Sequence, residues 1–186
     1  MTDLRFNNYS RFLREKHDYR VYAWCVFLDE PASVLDQVTA VEYVLHPTFP
    51  DPVRRIWERE HCFALLTEGW GTFGVEARVY LADDNIQRTR YRIKLEDDDW
   101  PRGPELDETA DENKKKIYGE LLDDRYEWRK LSTLVRRTGM SESELEAQLA
   151  EMAASALVRK ADFRSIDSQD LWGATSRVGL LPTPRP

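Results

Sequence analysis

Apolar residues in this chain follow two different periods, and the change between them divides it. From about Tyr19 to Leu95 the period is mostly two. Phe73, Val75, Ala77, Val79 and Leu81 point one way, and Gly74, Glu76, Arg78 and Tyr80 the other. That is a strand with one buried and one wet face. The rule repeats where Thr89, Tyr91, Ile93 and Leu95 alternate with Arg88, Arg90, Arg92 and Lys94. Asp83-Asp84-Asn85 between the two runs is turn chemistry, so the pair predicts an antiparallel hairpin. More uniformly apolar runs, Arg20 to Leu28 and Val38 to His46, predict further strands. Pro47, Pro50 and Pro52 stop the second of these, and Gly69 and Gly71 punctuate the chain before Phe73. Short strands separated by turn signals predict a two-sheet sandwich. Ahead of them, Phe6, Tyr9, Phe12 and Leu13 keep helical spacing and predict a short N-terminal helix laid on the sandwich.

After Leu95 the texture changes. Residues 97–113 are acidic and rich in breakers, and read as a solvated, mobile linker. From Lys114 the period is helical. Ile117, Leu121 and Leu122 form one stripe; Leu131, Leu134 and Val135 form another, ending at Gly139, a C′ glycine. Ser141 and Glu144 make a capping box that starts a third helix, whose core stripe is Leu145, Leu149, Met152 and Ala153. Ala156-Leu157-Val158 leaves toward a strand, Asp167 to Asp170 turns, and Leu171-Trp172-Gly173-Ala174 returns. Three helices followed by a two-stranded hairpin is the order of a winged helix. The expected fold is therefore mainly β plus α. A β-sandwich with its short helix occupies 1–96, an acidic linker 97–113, a small winged-helix-like α/β module 114–180, and a fraying Pro-rich tail 181–186.

Composition adjusts this picture in a few places. The chain has 186 residues, 27 Lys and Arg against 34 Asp and Glu, and a net charge of −7, so it is not basic throughout. Nucleic acid would need a local basic patch, because phosphate contacts supply most non-specific affinity. The helix that would read DNA carries Glu142, Glu144, Glu146 and Glu151 and no Lys or Arg between Ser141 and Leu157. That placement favours a protein partner over nucleic acid for this module. Cys25 and Cys62 sit in apolar runs and read as buried thiols. No run reaches the ~18 apolar residues of a membrane span, and Met1 to Arg5 lack a signal peptide's apolar region. A cytoplasmic protein with no membrane partner is expected.

Enzyme signatures are missing. His17, His46 and His61 lie in no metal-ligand pattern, and there is no Gly-rich phosphate loop and no GxSxG elbow. A non-enzymatic protein with no metal or cofactor is expected. Two loops suggest binding instead. His46-Pro47-Thr48-Phe49-Pro50 closes one strand, and Glu68-Gly69-Trp70-Gly71-Thr72-Phe73 opens another. Each sets an aromatic ring and a hydroxyl beside Gly or Pro. At one end of a sandwich, Phe49 and Trp70 could wall a slot for a flat, neutral group, with Thr48 and a backbone N–H near Trp70 or Gly71 meeting its amide. The alternative is that both rings cap the core and Thr48 satisfies a turn.

These two segments, taken with Val41-Glu42-Tyr43-Val44-Leu45 before the first and Asp51-Pro52-Val53-Arg54 after it, resemble the YEATS domain. The resemblance covers roughly Tyr19 to Leu95 and implies an immunoglobulin-like β-sandwich. Eukaryotic YEATS domains bind acetylated or crotonylated lysine on histone tails. The resemblance thereby implies that His46 shapes a pocket, that Thr48 bonds the acyl amide, that Phe49 and Trp70 are its aromatic walls, and that Gly71 and Thr72 lie where backbone meets ligand. A further aromatic used by some readers falls on Arg20, with Tyr19 and Tyr22 nearby. The arrangement with a small helical module looks like stand-alone prokaryotic YEATS proteins. Acylation removes lysine's charge and leaves a planar amide that stacks between rings. The expected function is a non-catalytic reader of an acylated-lysine-like group or peptide. The alternatives are a DNA-binding regulator using the winged helix and an adaptor with no small-ligand site.

Overall fold

Residues 4–186 are described in the computed structural model of the chain. Met1 to Asp3, the start of the N-terminal stretch considered above, lie outside the described residues. The chain forms two units, Met1–Trp100 with Leu181–Pro186, and Pro101–Leu180.

In the first unit, β1 (Phe6–Lys16), β2 (Tyr19–Leu28) and β5 (Leu65–Gly69) make one antiparallel sheet in the order β1-β2-β5. The second sheet, β4-β3-β6-β7, uses β3 (Val38–Val44), β4 (Val53–Ile56), β6 (Gly74–Leu81) and β7 (Ile86–Arg92). A one-turn helix, α1 (Ala32–Leu35), joins β2 to β3. One hydrophobic core serves both sheets: Trp24, Val26 and Leu28 of β2 share it with Val41 and Tyr43 of β3 and Val75, Ala77 and Val79 of β6. The period-two run of β6 is therefore the alternation of core and solvent, and its hairpin with β7 pairs Val75 with Tyr91 and Tyr80 with Ile86. The Tyr43 hydroxyl donates to the Phe63 carbonyl at 2.8 Å inside the core, so burying the phenol leaves no polar atom unmatched.

Three expectations for this unit are corrected. The N-terminal segment is not a helix. It is β1, paired along its length with β2 from Phe6↔Leu28 to Lys16↔Tyr19, with an irregularity between Phe12 and Arg14. Its helical spacing is a by-product of buried polar residues. The Asn8 amide donates to the Lys94 carbonyl and accepts from the Lys94 N–H, and the Ser10 hydroxyl does the same with Glu96. These side chains do the work of a strand ladder, so core-facing positions need not be apolar.

The expected linker is held at both ends: Gly103 N–H donates to the Thr175 carbonyl at 3.2 Å and Leu106 packs on the second unit's core, while its first residues belong to the sandwich. Phe12 N–H donates to the Asp97 carbonyl at 2.7 Å, Asp99 N–H to the Ser10 carbonyl at 3.1 Å, and Trp100 is buried in the sandwich. The tail is held as well. Arg185 donates to the Asp29 carbonyl at 2.7 Å and pairs with the Asp29 carboxylate at 3.1 Å, and Pro31 pairs with Arg185.

The second unit holds α2 (Glu112–Leu121), α3 (Leu131–Thr138), α4 (Glu142–Ala154) and the short α5 (Thr175–Val178). β8 (Arg129–Lys130), β9 (Val158–Lys160) and β10 (Leu171–Ala174) form an antiparallel sheet in the order β8-β10-β9. Ile117, Leu121, Leu134, Leu145, Leu149 and Met152 make its core. Gly139 follows α3 at φ 74°, a left-handed conformation that costs glycine nothing. Ser141 and Glu144 cap α4 reciprocally. Leu122 lies beyond the end of α2 and is exposed rather than part of the core stripe.

Candidate functional site

The loops after β3 and β5 meet at one end of the sandwich. Leu45 N–H donates to the Pro52 carbonyl at 2.7 Å and closes the first loop at its base. Arg54 braces it from below, donating to the carbonyls of Pro50 and Asp51. Phe49 N–H returns to the His46 carbonyl at 3.0 Å, a tight turn that leaves the His46, Pro47 and Thr48 side chains in solvent and aims Phe49 inward. The Phe49 ring rests on the core, 5.3 Å from Phe73 and 6.2 Å from Trp24 between centroids. Gly69 makes that position available: a Cβ there would stand 3.0 Å from Phe49 Cζ and 3.2 Å from Trp24 Nε1. The second loop runs out from Gly69 and turns at Gly71, at φ 75°.

Between the loops lies an open cleft of about 490 Å³. His46, Thr48, Phe49, Trp70, Gly71 and Thr72 all line it. Pro50, Glu68, Gly69 and Phe73 complete the lining. The two rings differ in standing. Phe49 is half-buried against the core, whereas Trp70 is 56% exposed. Trp70 is therefore not a core cap, and the slot is open. Thr48 Oγ1 lies 2.9 Å from His46 Nδ1, and the Thr48 N–H donates to the same nitrogen at 3.3 Å. With Nδ1 accepting, the threonine hydroxyl is fixed in direction and keeps lone pairs for a donor in the cleft. Among the described residues, none accepts a main-chain hydrogen bond from the N–H groups of Trp70, Gly71 and Thr72. The cleft thus offers apolar ring surface, a held hydroxyl and free backbone donors. Its one carboxylate, Glu68, is paired with Arg14 at 2.7 Å. A neutral planar group with one donor and one acceptor matches this set.

Residues 22–94 match the family model of the prokaryotic YEATS domain. The chain is 46% identical over 52 residues to transcription initiation factor TFIID subunit 14 of Schizosaccharomyces pombe, covering 28% of this chain and 20% of that protein. It is 27% identical over 97 residues to the protein AF-9 homolog of Kluyveromyces lactis, covering 50% and 43%. The chain thus spans less than half the length of either relative. Among solved structures, yeast Yaf9 aligns with 25% identity over 49% of this chain and 65% of that one, at a TM-score of 0.41. The Yaf9 YEATS domain bound to H3K27ac aligns with 21% identity over 52% and 78%, at 0.41.

Of the residues read as candidates for a further aromatic position, Arg20, Tyr19 and Tyr22, Tyr19 is the one beside Trp70. Arg20 turns away from the slot; it pairs with Asp97 at 3.0 Å and lies over the Phe12 ring. Tyr19 takes the position behind Trp70, with ring centroids 4.5 Å apart and planes tilted by 31°. The signal was in the register. Tyr22 pairs with Gly69, so the start of β2 runs beside Trp70. Phe73, the last residue of the second loop segment and the first of the alternating run, is also part of the cleft wall. Among the described residues there is no cluster of three or more His, Cys, Asp or Glu able to hold a metal ion. No described helix is long and apolar enough to cross a membrane.

Proposed function

We propose that the immunoglobulin-like sandwich is a non-catalytic reader that takes an acylated lysine side chain, presented by a peptide or protein partner, into the cleft between Phe49 and Trp70. The observation that carries this reading is the open slot itself, with one wall on the core and the other exposed at 56%. In it the acyl group stacks between the rings. The amide N–H donates to Thr48 Oγ1, and the amide carbonyl accepts from a backbone N–H of the Trp70–Thr72 turn. Leaving either amide group unmatched would cost about 1–3 kcal/mol, so the hydroxyl and the backbone donors together set the selectivity for an amide. An unmodified lysine would have to lose hydration with no compensating charge.

The second unit is read as a winged-helix-like module that engages a protein. Glu142, Glu144, Glu146 and Glu151 are all exposed on α4, and a helix so charged repels phosphate.

The test is a titration of acetyl-lysine, crotonyl-lysine and unmodified peptides. Both acyl peptides bind and the unmodified one does not. Trp70→Ala weakens binding by roughly tenfold or more, the loss of one stacked, area-burying wall. It changes thermal stability little, because an exposed side chain away from special features is worth within about 0.5 kcal/mol. Equal affinity for acylated and unmodified peptides would overturn the reader assignment.

A further inference from the structure

The strand β7 carries a feature that the slot leaves unused. It is an edge strand, and its solvent-facing positions are Arg88, Arg90 and Arg92, with Lys94 continuing the alternation. No carboxylate occurs from Asn85 to Leu95. Across the ladder these arginines face Arg78, Glu76 and Gly74 in turn. Glu76 is already engaged by Arg78 at 3.0 Å, and Arg78 also holds the buried Glu42 at 2.9 Å. The sheet's acids are thus consumed by Arg55 and Arg78. Among the described residues, none of the four cations of the strip makes an ion pair with an acid.

Four unpaired cations at alternate positions stand about 6.8 Å apart along a strand. That interval is close to the separation of successive phosphates along a nucleic-acid strand. Three of the four are arginines, whose planar fork meets phosphate oxygens two at a time. We infer that the outer edge of the sandwich, Arg88 to Lys94, docks the phosphodiester backbone of a nucleic acid without reading its sequence. An acidic polypeptide is the competing occupant, but the strip offers a row of exposed guanidinium groups at even spacing, the recurrent partner of phosphate oxygens. A nucleic-acid backbone needs no side-chain pocket, because counterion release supplies the affinity of non-specific binding. The net charge of −7 does not oppose this at contact, since charges beyond about 8 Å are largely screened at physiological salt.

The test is fluorescence anisotropy of labelled single-stranded and double-stranded oligonucleotides of unrelated sequence, with poly-glutamate as a third probe, titrated with the full chain at low salt. Both oligonucleotides bind in the weak range of about 10⁻⁴–10⁻⁶ M, with affinity falling steeply as salt rises. Replacing Arg88, Arg90 and Arg92 together by Gln weakens both at least tenfold and reduces the salt slope by about one per cation removed. The same variant keeps its circular dichroism and its affinity for the acyl peptide. Binding unchanged by the triple substitution, no binding up to about 100 µM, or binding of poly-glutamate alone would each overturn the assignment; the last would make the strip a dock for an acidic protein.

Discussion

Gly69 is where the fold and the proposed site depend on the same missing atom. A methyl group there would stand 3.0 Å from Phe49 Cζ and 3.2 Å from Trp24 Nε1, so the ring must give by a few tenths of an ångström. Gly69→Ala therefore has two consequences together. It lowers stability by about 1–3 kcal/mol, the usual cost of overpacking a well-filled core, and it narrows the slot and weakens acyl-peptide binding. Trp70→Ala affects only the second quantity. A thermal melt and a peptide titration on both variants separate the two. If Gly69→Ala binds normally, Phe49 is not a wall of the binding site. Much of this site was legible in the residues: the two loops, the two rings and Thr48 are all where the motifs placed them. The exposure of Trp70 was not legible, since a tryptophan in a glycine loop serves equally well as a core cap. Nor was the choice among Arg20, Tyr19 and Tyr22, which depends on the register between β2 and β5.

At the level of elements, hydrophobic period was a sound guide wherever strands are held by their own main chain, as in β6 and β7, and for the capped helix α4. It misled where side chains replace a ladder. In β1 the core-facing Asn8 and Ser10 are buried, and they bond to the main chain of residues 94–96. Two polar residues at inward positions erased the alternation and left an accidental helical spacing. The same contacts pull the acidic stretch onto the sandwich, where Asp97 meets Arg20 and Tyr22 and is held below the ordinary carboxylate range, chiefly by the Arg20 hydrogen bond. Asn8 ties β1 to the start of that stretch, and Ser10 to the rest of it. Asn8→Ala removes partners from the Lys94 N–H and carbonyl and from the Tyr91 hydroxyl. Each unpaired buried group costs about 1–3 kcal/mol. The expected result is a loss of at least that amount in denaturant unfolding, with amide exchange accelerated in β1 and residues 94–99 while α2 to α4 are unchanged. Uniform acceleration across the chain would contradict this local role.

On the scale of the whole molecule, the first unit is discontinuous in sequence. The chain leaves it after Trp100 and comes back at Leu181, and the returning segment completes a charged cluster. Glu30 is buried and near Arg185 at 3.7 Å and Arg5 at 3.9 Å, with the Arg5 N–H donating to its carboxylate at 2.7 Å. A stop codon after Leu180 removes Arg185 and leaves that carboxylate with half its cationic partners. The sandwich has its own reporters for this. Cys25 and Cys62 are both buried in its core, and burial, with a smaller contribution from the Asp29 charge, pushes the Cys62 thiol up to about 11. A thiol so held is protonated and inaccessible, so neither cysteine reacts with iodoacetamide at neutral pH until the sandwich opens. Truncation at Leu180 raises the labelling rate of both cysteines by the factor by which it raises the open population, roughly tenfold for each 1.4 kcal/mol lost. The amide exchange of α2 to α4 stays as it was. Labelling that is already fast in the full chain, or unaffected by the truncation, would show that the returning tail does not hold the sandwich closed.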